Sequence, residues 1–365
     1  MIKPIAFYLP QFHPIPENDK WWGDGFTEWT NVKSAKPLFD DHEQPRQPGE
    51  LGYYDLLDSQ IRIKQAELAK AHNIHGFCYW HYWFGNGNTL LEKPFQDVLK
   101  SGEPDFPFCL GWANESWTGI WHGAPNRILM EQTYPGIEDI KNHFNYVLPA
   151  FSDERYIKVD NAPFFLVYQP QKIPDLQLFT ETFNEFAIKN GFSGIHFVAT
   201  NVSLGWELDK YNFKAIVPPY HHRITWEKKK KFVHSLSSIF QKKSRNKRLQ
   251  HVYDYSMASK YFLPDSNIKD KIYPAVIPNW DNSPRSGENA VIYTNSTPEK
   301  FEKHLREAVQ YVLKNNSNHR FLMVKSWNEW AEGNYLEPDK KWGRAYLEVF
   351  KKVMDQNEID PETDK

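Results

Sequence analysis

Sulfur is scarce in this 365-residue sequence, which has two cysteines, Cys78 and Cys109, both inside apolar runs. Their spacing suits neither a disulfide framework nor a thiolate metal centre, so they read as buried thiols in preference to a disulfide with each other. No run approaches about 18 apolar residues, so no membrane-crossing helix is expected. The opening segment Met1-Ile2-Lys3-Pro4-Ile5-Ala6-Phe7-Tyr8-Leu9-Pro10 enters a strand at once and has no signal-peptide hydrophobic region, so the expected location is cytoplasmic. Charge of one sign is also lacking: the formal net charge is -2 with a pI of about 6.7, which gives no whole-chain reason to expect a nucleic-acid partner. No Gly-x-Gly-x-x-Gly follows a strand, no His-Glu-x-x-His occurs and no Gly-x-Ser-x-Gly elbow occurs. Dinucleotide, metal and serine-hydrolase chemistry therefore have no sequence support, and neither cofactor nor metal is expected.

Aromatic rings are what the chain has in excess: 14 Trp, 19 Tyr and 25 Phe. Many stand beside polar residues in short loops, as in Trp21-Trp22-Gly23-Asp24 and Trp80-His81-Tyr82-Trp83. Sugars present flat C–H faces edged with hydroxyls, and a pocket of ring faces and hydrogen-bonding groups suits them. A Trp-rich core accounts for the other part of these rings.

The repeating unit is a short apolar run, then polar and aromatic residues, then a helical stretch. Strands are expected at Ile5–His13, Ile74–Phe84, Phe106–Asn114, Phe164–Gln169, Gly194–Asn201, Ala215–Tyr220, Ile272–Trp280 and Arg320–Trp327. Helices are expected at Leu56–His72, Ile137–Phe151, Leu176–Asn190 and Pro298–Asn315. Eight strands separated by helix-sized segments give an α/β chain forming a (β/α)8 TIM barrel, with a doubly wound open sheet as the alternative. The expected layout is one catalytic domain over 1–355, a basic insertion at 223–250 and a polar tail at 356–365. Polar and aromatic residues gather where the apolar runs end, as one shared pocket at the strand C-termini requires.

Two segments break the rhythm. Asn18–Gly49 is a long early loop rich in Trp, Pro and charge, expected to wall the pocket. Arg223–Arg248 holds ten Lys or Arg against one Glu, with Phe232, Val233, Leu236, Ile239 and Phe240 at helical spacing. It suits an amphipathic element resting on an anionic membrane or glycan, or equally an insertion packed on the barrel.

The segment with the strongest chemical signal is Trp327-Asn328-Glu329-Trp330-Ala331-Glu332-Gly333. One helical turn there would turn Glu329 and Glu332 the same way with Cβ atoms roughly 5–6 Å apart. Two carboxyls so close do not ionise independently; one is held protonated and donates, as glycosidic cleavage needs. Pairing with a barrel Arg or Lys is the bland alternative, and Glu337 reads as scaffold. Asn114 and Glu115 end the third strand and suit a sugar hydroxyl or a loop brace. In Trp280-Asp281-Asn282-Ser283-Pro284-Arg285 the ring offers a stacking face, and Arg285 either orients a carboxylate or binds an acidic sugar.

These blocks, together with Phe7-Tyr8-Leu9-Pro10-Gln11-Phe12-His13-Pro14, Gly25-Phe26-Thr27-Glu28-Trp29-Thr30-Asn31-Val32, Tyr79-Trp80-His81-Tyr82-Trp83-Phe84 and Trp112-Ala113-Asn114-Glu115-Ser116-Trp117, resemble the WbsX family. That family is described as glycosyltransferase-like proteins of lipopolysaccharide and polysaccharide clusters, and is similar to glycoside hydrolase family 99. The resemblance implies a metal-free, retaining (β/α)8 enzyme. Glu329 would be the base that deprotonates the substrate's own 2-hydroxyl, and Glu332 the acid for the leaving oxygen. The candidate sugar contacts, most of them at the ends of the apolar runs, are Tyr8, Gln11, His13, Trp29, Trp80, His81, Trp112, Asn114, Glu115, Trp117, Tyr168, Trp280, Asp281, Asn282, Arg285, Asn328 and Trp330. An oligosaccharide or polysaccharide is the expected partner. Cleavage or transfer by the glutamate pair, transfer from a nucleotide sugar and non-catalytic glycan binding all remain open at this stage.

Overall fold

Eight short runs rich in Phe, Val, Ile and Leu form strands, each buried on both faces, as a parallel sheet sheathed by helices demands. In the computed structural model, which describes residues 1–119, 124–225, 251–264, 271–314 and 319–358, they are β1 Lys3–Tyr8, β2 Gly76–His81, β3 Phe108–Trp112, β4 Ala162–Val167, β5 His196–Thr200, β6 Phe213–Val217, β7 Ala275–Val276 and β8 Phe321–Val324. Each falls inside or overlaps a run expected to be a strand. Neighbours pair in the order β7-β8-β1-β2-β3-β4-β5-β6. The remaining gap is bridged by Ile216, whose N–H donates to Lys271 O (2.8 Å) and whose carbonyl accepts from Tyr273 N (3.0 Å). The ring is a nearly closed (β/α)8 barrel. Because every barrel pairing is parallel, all eight C-terminal ends open on one side.

The helices Ser59–Ala71, Ile137–Ser152, Leu176–Lys189 and Pro298–Lys314 lie within three residues of their expected ends. Their starts have local causes. Asp58 and Asp175 accept from the otherwise unpaired N–H groups of Gln60 and Leu178, and Pro298 begins its helix where no N–H is needed. Two further helices, Lys93–Ser101 and Ala345–Glu358, lack an apolar pattern clear enough to read from the sequence. The second runs to Glu358, three residues into the segment expected as a tail, and its Asp355 accepts a hydrogen bond from Asn73 Nδ2 (2.6 Å). Cys78 and Cys109 are buried free thiols. Of the basic stretch, 226–250 lies outside the described residues.

Residue parity along the strands decides what reaches the cleft. On β2, Trp80 turns inward and stacks on Phe7, with ring centroids 4.9 Å apart. Its neighbour His81 turns outward to His143 of helix Ile137–Ser152, the two Nε2 atoms 2.9 Å apart. Gly111 on β3 makes room for the indole, since a Cβ there would sit 3.2 Å from the Trp80 ring.

Candidate active site

The turn that follows β8 carries the glutamate pair. Ser326 Oγ accepts from the backbone N–H groups of Asn328 (3.2 Å) and Glu329 (2.9 Å), and Trp330–Glu332 then makes a single 3-10 turn. Gly333 exits at φ +56°, and a Cβ there would lie 2.9 Å from Asp281 Cβ. That approach exists because Asp281 N donates to Glu332 O at 2.7 Å. Only glycine accommodates both demands.

Arg285 holds the pair together. Its Nη1 donates to Glu329 Oε1 (3.0 Å) and Glu332 Oε1 (2.9 Å), while Nε donates to Glu28 Oε1 (2.9 Å). A shared nitrogen limits the two Oε1 atoms to a separation of about 6 Å. The guanidinium side chain is 3% exposed and that of Glu28 0%. Burial, then the charge of Glu329, raises the Glu332 carboxyl from 4.5 to about 7 against the opposing pull of Arg285. Glu332 is thus set up to carry a proton near neutrality, and both acids face one cleft.

That cleft encloses about 790 Å³, inside the range of ligand pockets. Rings of Trp22, Phe26, Trp80, Tyr82, Trp117, Tyr134, Tyr168 and Trp280 line it, with Gln11, Asn31, Gln132, Lys172, Asn201, His221, His222 and Lys325 between them. The early loop does wall the cleft, through Trp22, Phe26 and Asn31, although it folds into the helices Pro16–Trp22 and Glu28–Ser34. A strand pair after β3, Trp117–Gly119 with Ala124–Met130, adds Trp117, Thr118 and Leu129.

Of the expected contacts, Gln11, Trp80, Asn114, Glu115, Trp117, Tyr168, Trp280 and Arg285 reach the cleft with Glu329 and Glu332. Asn114 spends its amide on the fold, accepting from Gln169 N (2.7 Å) and donating to Gln169 O (2.9 Å), which ties the exits of β3 and β4. Glu115 is exposed and accepts from Gln169 Nε2 (2.8 Å). Arg285 is engaged by carboxylates of the chain itself, so it orients the pair and is not free for an acidic sugar.

The other nine stand behind the cleft wall. Tyr8 donates to Gln65 Oε1 (2.6 Å) under helix Ser59–Ala71, and Trp112 Nε1 to Trp83 O (2.9 Å). His81 meets His143, and His13 Nδ1 lies 3.0 Å from Pro10 O. Trp29 Nε1 donates to Tyr54 O (2.7 Å). Asn328 clamps β8 to β1 through both Leu9 backbone groups (2.8 and 3.0 Å). Trp330 stacks on Tyr335 and donates to Glu337 Oε2 (2.7 Å). Asp281 is sealed among His42, Gln44 and Arg46; burial would raise its carboxyl, but the His42 hydrogen bond and Arg46 hold it low. Asn282 accepts from Val291 N (2.9 Å). These residues support the walls and offer the cleft no surface.

Glu337 is scaffold, taking donors from Trp330, Gln65 (2.6 Å) and Tyr54 (2.9 Å). Glu28 and Lys325 were not foreseen. The signal available for Glu28 was its place as an acid between Thr27 and Trp29 in an aromatic loop, which its partner Arg285, 257 positions away, makes intelligible only in three dimensions. Glu28→Gln keeps the shape and removes one anchor of Arg285. The expected outcome is a folded protein with turnover down roughly 10–100-fold, the scale for partners that orient an active group. Steady-state rates of variant and wild type on one polysaccharide check it, and unchanged turnover would show that Arg285 needs only the pair.

A family model described as glycosyltransferase WbsX matches residues 4–350. Two curated relatives, both "Uncharacterized protein WxcX" from strains of Xanthomonas campestris pv. campestris, are 34% identical over 357 residues, 96% of this chain and 49% of theirs. The chain therefore spans about half the length of these relatives. Among solved structures, a "glycoside hydrolase-like protein" superposes with TM-score 0.60 at 11% identity, over 96% of this chain and 93% of that one. The GH99 endo-alpha-mannosidase from Bacteroides thetaiotaomicron, in complex with Bis-Tris propane, gives 0.59 at 13%, over 97% and 96%. At these identities the likeness establishes the fold.

Proposed function

The chain belongs to the WbsX glycosyltransferase family, and from that premise we propose that it cuts or transfers a glycosidic bond with retention, using Glu332 as acid and Glu329 as base. The observation that carries the reading is Arg285 Nη1 gripping both carboxylates at the floor of an aromatic cleft. It keeps their Oε1 atoms within about 6 Å, closer than the roughly 6.5–9.5 Å of inverting pairs, which leave room for a water between them. Burial and the neighbouring Glu329 charge raise the Glu332 carboxyl to about 7, so that it can hold a proton near neutrality.

In the first step Glu332 gives its proton to the leaving oxygen as the C1–O bond breaks. Glu329 takes the proton of the sugar's 2-hydroxyl, whose oxygen closes on C1 to give a 1,2-anhydro sugar. In the second step Glu332, now a carboxylate, takes a proton from water or from an acceptor hydroxyl, whose oxygen opens the ring at C1. The 2-oxygen recovers its proton from Glu329. Two displacements at C1 restore the original configuration. The ring faces of Trp80 and Trp117 suit the apolar sides of the sugars on either side of the bond.

The family's description favours one other reading, transfer from a nucleotide sugar. The two are separated by incubating the protein with cell-surface polysaccharide of its host and, in parallel, with nucleotide sugars. New reducing ends, or transfer between glycans, support the glutamate-pair reading. Sugar transfer from the nucleotide alone that survives both Glu329→Gln and Glu332→Gln would sink it.

A further inference from the structure

Lys325 is the residue after β8, held in place by donation of its N–H to Val276 O (2.9 Å), and it lines the same cleft as the pair. Half-buried Lys325 forms no ion pair with a carboxylate among the described residues, although its charge acts on the Glu332 carboxyl. It stands instead over Trp280, 5.5 Å from the ring centroid. His221 and His222 pack on the same indole, with centroids 4.4 and 5.1 Å from it. The Nδ1 atoms of both histidines are buried without a hydrogen-bond partner, and both residues line the cleft. Burial, then Lys325, keeps the His222 ring neutral, with its pKa lowered to about 4. The wall thus offers an ammonium and two imidazoles beside the glutamate pair, with no carboxylate in direct contact with the ammonium among the described residues. An anionic group in the cleft would give this ammonium the direct, charge-assisted hydrogen bond that no carboxylate of the described residues makes.

We propose that Lys325, flanked by His221 and His222, is a subsite for an anionic group of the substrate, a sugar carboxylate or a phosphate, placed beside the sugar that reacts. The inference rests on the glycan reading above and narrows it to acidic or phosphate-bearing sugars. It also moves the recognition of acidic sugars from Arg285, which the chain's own carboxylates engage, to a lysine 40 positions later in the sequence.

The test is calorimetric titration of the full chain with glucose, glucuronate and glucose 6-phosphate, at low and at high salt. At least one acidic sugar is expected to bind about tenfold or more tightly than glucose, the effect of one charge-assisted hydrogen bond. Lys325→Met should abolish the preference and Lys325→Arg should keep it, with thermal unfolding confirming that both variants fold. Because Arg223–Arg248 is itself basic, only the part of the preference that Lys325→Met removes counts. A preference for glucose 6-phosphate alone assigns the subsite to a phosphate-linked sugar, and one that includes glucuronate to an acidic residue of the glycan. Equal binding of all three sugars, or a preference intact in Lys325→Met, overturns the proposal. No turnover is needed, so failure of the cleavage reading leaves this result standing.

Discussion

Glu332→Gln is expected to lower glycosidic cleavage by roughly 10²–10⁴-fold, the contribution of a positioned acid, with folding intact. Glutamine keeps an oxygen for Arg285 Nη1 but has no proton to give the leaving oxygen. Wild-type rate should fall as pH rises through about 7, where Glu332 loses its proton. Glu329→Gln should be similarly slow. Its residual activity should decline at lower pH than wild type, because removing the neighbouring charge lowers the Glu332 pKa. The same shift acts on stability. Glu332 binds its proton more tightly in the folded chain than in the unfolded one, so its stabilising contribution is complete below pH 4.5 and is lost as pH rises through about 7. Urea midpoints measured across that window should show a shallower slope in Glu332→Gln. An unchanged slope would mean that Glu332 titrates normally.

Arg285→Met is expected to be the most destabilising single change at the site. It leaves Glu28, Glu329 and Glu332 close together without their shared cation. Removing one partner of a buried charge network costs about 3–5 kcal/mol, and the remaining carboxylates take up protons in response. The loss should therefore be larger at pH 8 than at pH 5. Adding Glu28→Gln should restore part of it, since one of the stranded charges is then gone. Urea unfolding of the two single variants and the double variant gives the coupling directly. Purely additive losses would show that Arg285 and Glu28 act independently.

Much of the fold was legible because barrel strands advertise themselves. A short run such as Phe321–Val324, bounded by polar loops and repeated eight times, has few other solutions. Helix Lys93–Ser101 escaped because its nine residues are too few for the apolar pattern to stand out. The site was legible down to the turn, not down to the face. Strands covered on both sides carry apolar residues at every position, so composition does not say whether Tyr79, Trp80 or His81 points inward. Period two then sends Trp80 to the cleft and His81 to a helix, while beyond β7 Trp280 borders the cleft and Asp281 is captured by His42 and Gln44 of the early loop. Nine expected contacts were displaced in this way, by one residue of phase or by capture in a brace such as that between Asn328 and Leu9. Glu28 was hidden for a different reason: its meaning depends on Arg285, and nothing local to either residue names the other.

The most direct measurement is the titration of the glutamate carboxyls by carbon-13 NMR in protein labelled at glutamate, compared between wild type and Glu332→Gln. Two carboxyls should titrate near pH 7 in wild type, those of Glu332 and the buried scaffold acid Glu337. One of the two should vanish in Glu332→Gln, and that same signal should move to lower pH in Glu329→Gln. A wild-type spectrum in which Glu332 titrates in the ordinary range near 4.5, indifferent to Glu329, would contradict the shared-proton pair on which the proposed chemistry stands.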